Sequence, residues 1–134
     1  LPDFKIVPIV VYDRSLSNCQ RVARAIVEVT RKTSGRTLLV ASSDLYHGPG
    51  AVIARTKSLQ AARAIEKMDP TTFSQGIEAG EFQACGAGPI TIVMLASKEL
   101  GATRAKVLAL TTSYDVHPGR EDYVVGYLAA VFFK

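Results

Sequence analysis

The chain has 134 residues, of which 48% are hydrophobic and 21% charged, and its formal net charge is +4. This length can bury a sizeable core, and no apolar run approaches the roughly 18 residues of a membrane span. The 16 basic residues are dispersed among acids without interleaved aromatic residues, which disfavours a nucleic-acid-binding face. No signal peptide is predicted at the start of the sequence. Two cysteines, Cys19 and Cys85, make no disulfide framework, so we expect a cytoplasmic protein.

Predicted strands and helices alternate along the chain, which favours an α/β layered fold in one domain without an internal boundary. A strand is predicted over residues 5–12, and Ser15 or Ser17 can cap the helix that follows it. The apolar residues 37–41 predict a central strand. The later predicted elements are helices over residues 52–68, 69–80 and 88–100 and strands over residues 106–113 and 123–133. Asp69 is the predicted N-cap of the second of these helices, and Pro70 suits its first turn.

Polar side chains are concentrated in the loop that directly follows the predicted strand 37–41, where α/β proteins often carry their sites. Asp44 could orient the imidazole of His47 or act as a base. Ser42 and Ser43 could donate hydrogen bonds to a substrate oxygen or only fix the loop. A polar turn in which Asp44 caps local structure explains the same residues and remains an alternative.

Cys85 is the second candidate, because it lies just before the predicted helix 88–100. The positive end of a helix dipole stabilises a thiolate, and Pro89 suits a first helical turn. Cys85 is therefore a candidate metal ligand or nucleophile. Alternatively it is a small apolar residue packed against the sheet, beside glycines that permit close approach. The only other histidine, His117, lies in a Pro-Gly turn and is expected to face solvent.

Several ordered segments resemble the MEMO family, whose prokaryotic members are called AmmeMemoRadiSam system protein B. The matching segments are residues 4–11, 40–47, 85–90, 112–115 and 124–129. The resemblance covers residues 1–134 but only the C-terminal half of a typical member. It implies a layered α/β/α sandwich with a mixed sheet, similar to class III extradiol dioxygenases. That sandwich would be completed by a missing N-terminal half or a second chain.

The resemblance also implies a metal pocket, lined by the positions of His47 and Cys85 and by two upstream histidines that this chain lacks. Imidazole and thiolate suit iron, copper or zinc rather than calcium or magnesium, and we expect iron or copper. Two protein ligands rarely hold a transition metal, so this chain alone should bind metal weakly or not at all. Family members often carry an acid near Lys57 and Ser58, and this chain does not.

Two classes of function follow from the resemblance. In the first, the complete protein is a metal-dependent oxidoreductase related in fold to non-haem iron dioxygenases, with Asp44, His47 and Cys85 as its catalytic residues. In the second, it is a non-catalytic binding module, working with AMMECR1-type and radical S-adenosylmethionine proteins. A Cys-His hydrolase built on Cys85 and His47 ranks last. The sequence begins at Leu1 rather than methionine, so we expect a piece of a larger protein, associated with its N-terminal half or another chain.

Overall fold

The computed structural model describes residues 4–134, and Leu1, at which the sequence begins, lies outside them. Within this range the chain forms five helices and a three-stranded antiparallel sheet, which confirms a mixed α/β class. The elements in chain order are α1 (Leu16–Lys32), β1 (His47–Gly48), α2 (Ala51–Glu66), α3 (Pro70–Glu78), α4 (Ala87–Glu99), β2 (Arg104–Thr112), α5 (Ser113–Val116) and β3 (Val124–Phe133). No helix of residues 4–134 is long and apolar enough to cross a membrane.

Two helices begin where capping residues predict them. The hydroxyl of Ser15 accepts the Asn18 backbone N–H at 3.4 Å at the start of α1. Asp69 accepts the N–H groups of Thr71 and Thr72 at 3.0 and 3.1 Å, and Pro70 occupies the first position of α3. These caps satisfy N–H groups that have no partner inside the helix.

The sheet is organised around β3, in the order β1-β3-β2. β3 pairs with β2 from Gly126 to Phe133, with an irregularity between Val107 and Ala109 in β2. On its other side β3 pairs only with the short strand β1, and the Leu45 N–H extends that pairing by donating to the Gly126 carbonyl oxygen at 2.8 Å. The candidate loop before β1 is therefore fixed to the start of β3.

The strands predicted over residues 5–12 and 37–41 do not form, and this part of the prediction is wrong. Both segments lack secondary structure, and among residues 4–134 neither belongs to a backbone ladder. Their apolar side chains are largely exposed, as at Val10 (96%) and Leu38 (82%). Strand-forming residues raise the propensity for a strand, but a strand is stable only against a neighbour. The sheet is consequently antiparallel rather than mixed.

The core lies between the helices and one face of the hairpin. Its largest cluster contains Phe73, Phe82 and Met94, and the two phenylalanine rings lie 5.5 Å apart. A second cluster joins α1 to α4 around Cys19, where burial raises the pKa of the thiol. Leu45 belongs to the first cluster, whereas its neighbour Tyr46 is buried in a third. These two anchors leave the polar residues around them at the surface.

Candidate functional site

The candidate site forms where the loop before β1 meets the loop before α4. The Cys85 N–H donates to the Asp44 carbonyl oxygen at 3.1 Å, and the Asp44 N–H donates to the Cys85 Sγ at 3.2 Å. This reciprocal pair of bonds joins residues that are 41 positions apart in the sequence. The structure thus brings together the two motifs that the sequence singles out separately.

Ser43 fixes the contact between these loops. Its hydroxyl donates to the Asp44 carbonyl oxygen at 2.6 Å and accepts the Gly86 N–H at 2.8 Å. A Cβ at Gly86 would lie 2.7 Å from the Ser43 Cβ and would clash with the Ser42 carbonyl oxygen, so the close approach requires glycine. Ser42 itself is exposed. The Ser43 hydroxyl is therefore engaged in holding the loop.

The sulfur of Cys85 is exposed and has polar surroundings. Besides the Asp44 N–H, the Ser43 hydroxyl lies 3.7 Å from the Sγ. Cys85 immediately precedes Gly86, the N-cap residue of α4, so the helix dipole favours negative charge there. Hydrogen-bond donors near a helix N-terminus stabilise a thiolate, the form that binds metals and attacks electrophiles. The alternative of an apolar residue packed against the sheet does not hold, because the side chain is exposed.

His47 is oriented by three neighbours. Its Nε2 lies 3.3 Å from the Asp44 Oδ2, its backbone N–H donates to the Gln83 Oε1 at 3.4 Å, and its ring stacks on Tyr123 at 6.1 Å. A carboxylate that accepts from Nε2 leaves the lone pair of Nδ1 free for a metal or a proton. Asp44 therefore touches both candidate ligands, His47 through its carboxylate and Cys85 through its backbone.

Two side chains are too few for a closed metal site. Within the described part of the chain, no three or more His, Cys, Asp and Glu side chains are grouped so that they could hold a metal ion. The Asp44 carboxylate is directed to His47 and serves to orient the imidazole. One nitrogen and one sulfur donor are chemically suitable for iron, copper or zinc. Any tight site would need additional ligands from outside residues 4–134.

Three residues near the site were not predicted from the sequence. Gln83 and Tyr123 contact His47, and Tyr123 is brought there by the pairing of His47 with Val125 between β1 and β3. Only that register could have revealed it. Lys57, where the family resemblance leads us to expect an acid, donates to the Gly80 and Glu81 carbonyl oxygens at 2.8 and 2.6 Å. It thereby ties α2 to the segment that leads to Cys85.

Tyr46 and His117 lie outside this cluster of side chains. The Tyr46 hydroxyl donates to the Pro49 carbonyl oxygen at 2.9 Å and ties down the loop. His117 follows α5 and is exposed, which confirms the prediction that it faces solvent. Of the sequence-predicted candidates, the structure thus brings together Asp44, His47 and Cys85.

Comparisons with known proteins agree with the motif blocks. The family described as "Memo-like protein" matches residues 1–131. A MEMO1 family protein of Nitrosopumilus maritimus is 36% identical over 129 residues, covering 96% of this chain and 46% of the relative. A MEMO1 family protein of Pyrobaculum aerophilum is 33% identical, covering 98% of this chain and 47% of the relative. One of Aeropyrum pernix is 39% identical, covering 95% and 44% respectively. The chain thus spans about half the length of these curated relatives.

Proposed function

Because this chain belongs to the Memo-like family, we propose that it supplies one half of a metal-dependent oxidoreductase pocket. In this proposal His47 and Cys85 are the ligands contributed by the chain, and iron or copper is the metal. The observation that carries the proposal is the contact of Asp44 with both residues, which gathers a cysteine sulfur and an oriented imidazole at one surface.

Each residue has a distinct role in the proposed pocket. Cys85 binds through Sγ, and the Asp44 N–H stabilises its negative charge. His47 binds through Nδ1, while the Asp44 carboxylate holds the proton on Nε2. Iron or copper bound there would supply one-electron redox chemistry. Ser43 keeps the two loops together and Ser42, at the exposed rim, is available to a substrate oxygen.

The other half of the pocket is assigned to the remainder of a family-length protein. The relatives are about twice as long as the matched segment, which leaves room for further ligands and for a second layer of structure. The complete fold would then be the α/β/α sandwich of class III extradiol dioxygenases, acting in the cytoplasm. The remaining half is present either in the same polypeptide or in a second chain.

The second candidate is a non-catalytic binding module of the same family. It is favoured by the open surface around His47 and Cys85, whose side chains are accessible to a macromolecule as well as to a metal. Its partners would be AMMECR1-type and radical S-adenosylmethionine proteins. In that case the polar site would act as a docking surface.

Anaerobic titration with Co(II), followed by thiolate-to-cobalt absorption, distinguishes the two candidates. We expect weak binding to the chain alone and an affinity at least about tenfold higher when the remaining part of the Aeropyrum pernix relative is added. Cys85→Ser should abolish the absorption, His47→Gln should weaken binding, and the buried-thiol control Cys19→Ala should retain the signal. Asp44→Asn should lower the affinity about tenfold with an unchanged melting temperature.

If Cys85→Ser and His47→Gln bind Co(II) as the parent does, the metal proposal is wrong. If these two variants bind Co(II) as the parent does but no longer bind a partner protein, the binding module is favoured. A large drop in melting temperature for Asp44→Asn, without any change in metal affinity, would assign Asp44 to structure alone.

A further inference from the structure

An apolar groove of about 510 Å³ separates residues 37–41 from the end of β3. Residues 37–41 form one wall, and the other is formed by Leu128 and residues 130–134 at the end of β3. Between the walls lie apolar side chains of α2 and α4, including Ile65, Ile90 and Val93. Each wall is a stretch of backbone rather than a helix face, so the groove is bordered by two potential strand edges.

Hydrogen bonds fix which backbone groups of β3 face the groove. Gly126 bonds to Leu45 and Tyr46 on the β1 side, whereas the Phe133 carbonyl oxygen accepts the Thr103 N–H on the β2 side. Backbone groups alternate between the two edges of a strand. The backbone N–H and C=O groups of Leu128, Ala130 and Phe132 therefore point toward the groove.

The partner strand gives independent support for this alternation. Val107 stands opposite Ala130, and its N–H turns away from β3 to donate to the Glu66 Oε1 at 2.9 Å. The pair is therefore not joined by backbone bonds, as expected if Ala130 faces the groove. Among residues 4–134, the N–H groups of Leu128, Ala130 and Phe132 make no hydrogen bond outside the ladder with β2, and the alternation directs them away from that ladder.

The opposite wall, residues 37–41, has the alternating side chains of a β-strand but, among residues 4–134, no backbone hydrogen bonds to a neighbouring strand. Leu39 and Ala41 pack against the core clusters, whereas Leu38 and Val40 are 82% and 74% exposed. This alternation with a period of two is characteristic of a strand that buries one face. In the described portion of the chain its backbone has no ladder partner. Two unpaired edges therefore face one apolar gap.

We infer that this groove receives one β-strand from the part of a family-length protein that this chain does not span. A strand in the groove would bond to both walls and cover the apolar side chains between them, as in β-strand addition. The inference rests on the proposed function only in assigning the pocket's second half to that part of the protein. It needs no metal.

The relatives and the sequence both favour this occupant. The relatives extend well beyond the matched segment, which covers 44% of the Aeropyrum pernix protein. The competing strand is the exposed apolar segment 4–10 of a second copy. Pro8 lies in the middle of that segment and has no N–H, so the segment could not pair fully with two walls. A small apolar ligand would leave the β3 N–H groups unpaired.

The groove also leads to the candidate site. Ser43 and Leu45 line one end of it, and Ser43 contacts Cys85 and Gly86. A strand lying in the groove would therefore bring the residues at one of its ends beside the Cys85 sulfur. This provides a structural route by which further ligands reach the pocket.

Amide exchange at two adjacent alanines tests the inference. The chain is labelled with ¹⁵N-alanine and mixed with the unlabelled remaining part of the Aeropyrum pernix relative. The Ala129 N–H faces β2 and should exchange slowly in both states, so it is an internal control. The Ala130 N–H should exchange fast in the chain alone and at least about 100-fold more slowly in the mixture.

Three results would overturn the inference. They are fast exchange at Ala130 within a complex that has formed, absence of any complex, and protection of Ala130 in the chain alone together with a dimer mass. The last result would assign the groove to a second copy. Ala130→Pro, which removes only the N–H that faces the groove, should weaken the complex at least about tenfold. Protection of Ala130 in a complex that binds no Co(II) would sustain the groove and contradict the metal proposal.

Discussion

The β2–β3 hairpin and the segments 5–12 and 37–41 contain similar residues but have different surroundings. Val124 in β3 is completely buried, whereas Val40 is 74% exposed and Val10 is 96% exposed. In the hairpin every strand has a neighbour, and α2 covers one face. The comparison teaches that this molecule's stability is concentrated where backbone edges are paired, and that its potential for assembly is concentrated where they are not.

Proline substitution at adjacent alanines should give the largest contrast between paired and unpaired edges. Ala129→Pro removes an N–H directed at β2 and should lower the free energy of unfolding by roughly 3 kcal/mol. Ala130→Pro removes an N–H directed at the groove and should cost less than about 1 kcal/mol, because proline is tolerated at a free edge. Urea denaturation of both variants measures the difference. Equal losses would mean that β3 has no free edge.

Substituting alanine for a buried and for an exposed valine should show how much burial contributes to stability in the two regions. Val124→Ala leaves a cavity beside Tyr46 and Ala54 and should cost about 2 kcal/mol of unfolding free energy. Val40→Ala removes the same atoms from an exposed side chain and should change stability by less than about 0.5 kcal/mol. Chemical denaturation reports both values. A loss above about 1 kcal/mol at Val40 would indicate that its wall is already covered in solution.

Lys57→Met should affect both the stability of the fold and the reactivity of Cys85 in the candidate site. It removes two hydrogen bonds to the Gly80 and Glu81 carbonyl oxygens and should cost about 1 kcal/mol. Because those carbonyls precede Cys85, the rate of Cys85 alkylation by iodoacetamide should change as well. Lys67→Met, at an exposed position just after α2, is the control. An unchanged alkylation rate would mean that the Lys57 hydrogen bonds do not influence the candidate site.

The smallest predicted effect concerns the turn that closes the hairpin. Hydrogen bonds from the Thr112 hydroxyl and N–H, with the nearby Arg55 guanidinium, lower the pKa of Asp115. A carboxyl with a lowered folded-state pKa stabilises the fold above its unfolded pKa of about 3.9 and loses that contribution as the pH falls through the folded value. Asp115→Asn and Thr112→Val should therefore both flatten the acid limb of the melting temperature. An acid limb as steep as the parent's would exclude this role.

Local chemistry in the sequence predicted much of the fold. Ser15 and Asp69 were identifiable as caps because a cap depends on residues only two or three positions away. The motifs around Asp44 and Cys85 were identifiable because each adjoins a predicted element. The missed features depend on distant neighbours. Tyr123 reaches His47 only through the register of β1 and β3, and residues 37–41 lack the neighbour that a strand requires.

The outer edge of β2 and the groove side of β3 have different consequences for association. The edge of β2 is irregular between Val107 and Ala109, is occupied by the Glu66 carboxylate at Val107, and carries the exposed cations Arg104 and Lys106. Such features discourage pairing with another strand. The groove side of β3 is therefore the edge of this sheet that is open to another strand. Pairing between sheets can add strands on that side alone. Copies joined there would stop at a closed pair rather than extend into a fibre.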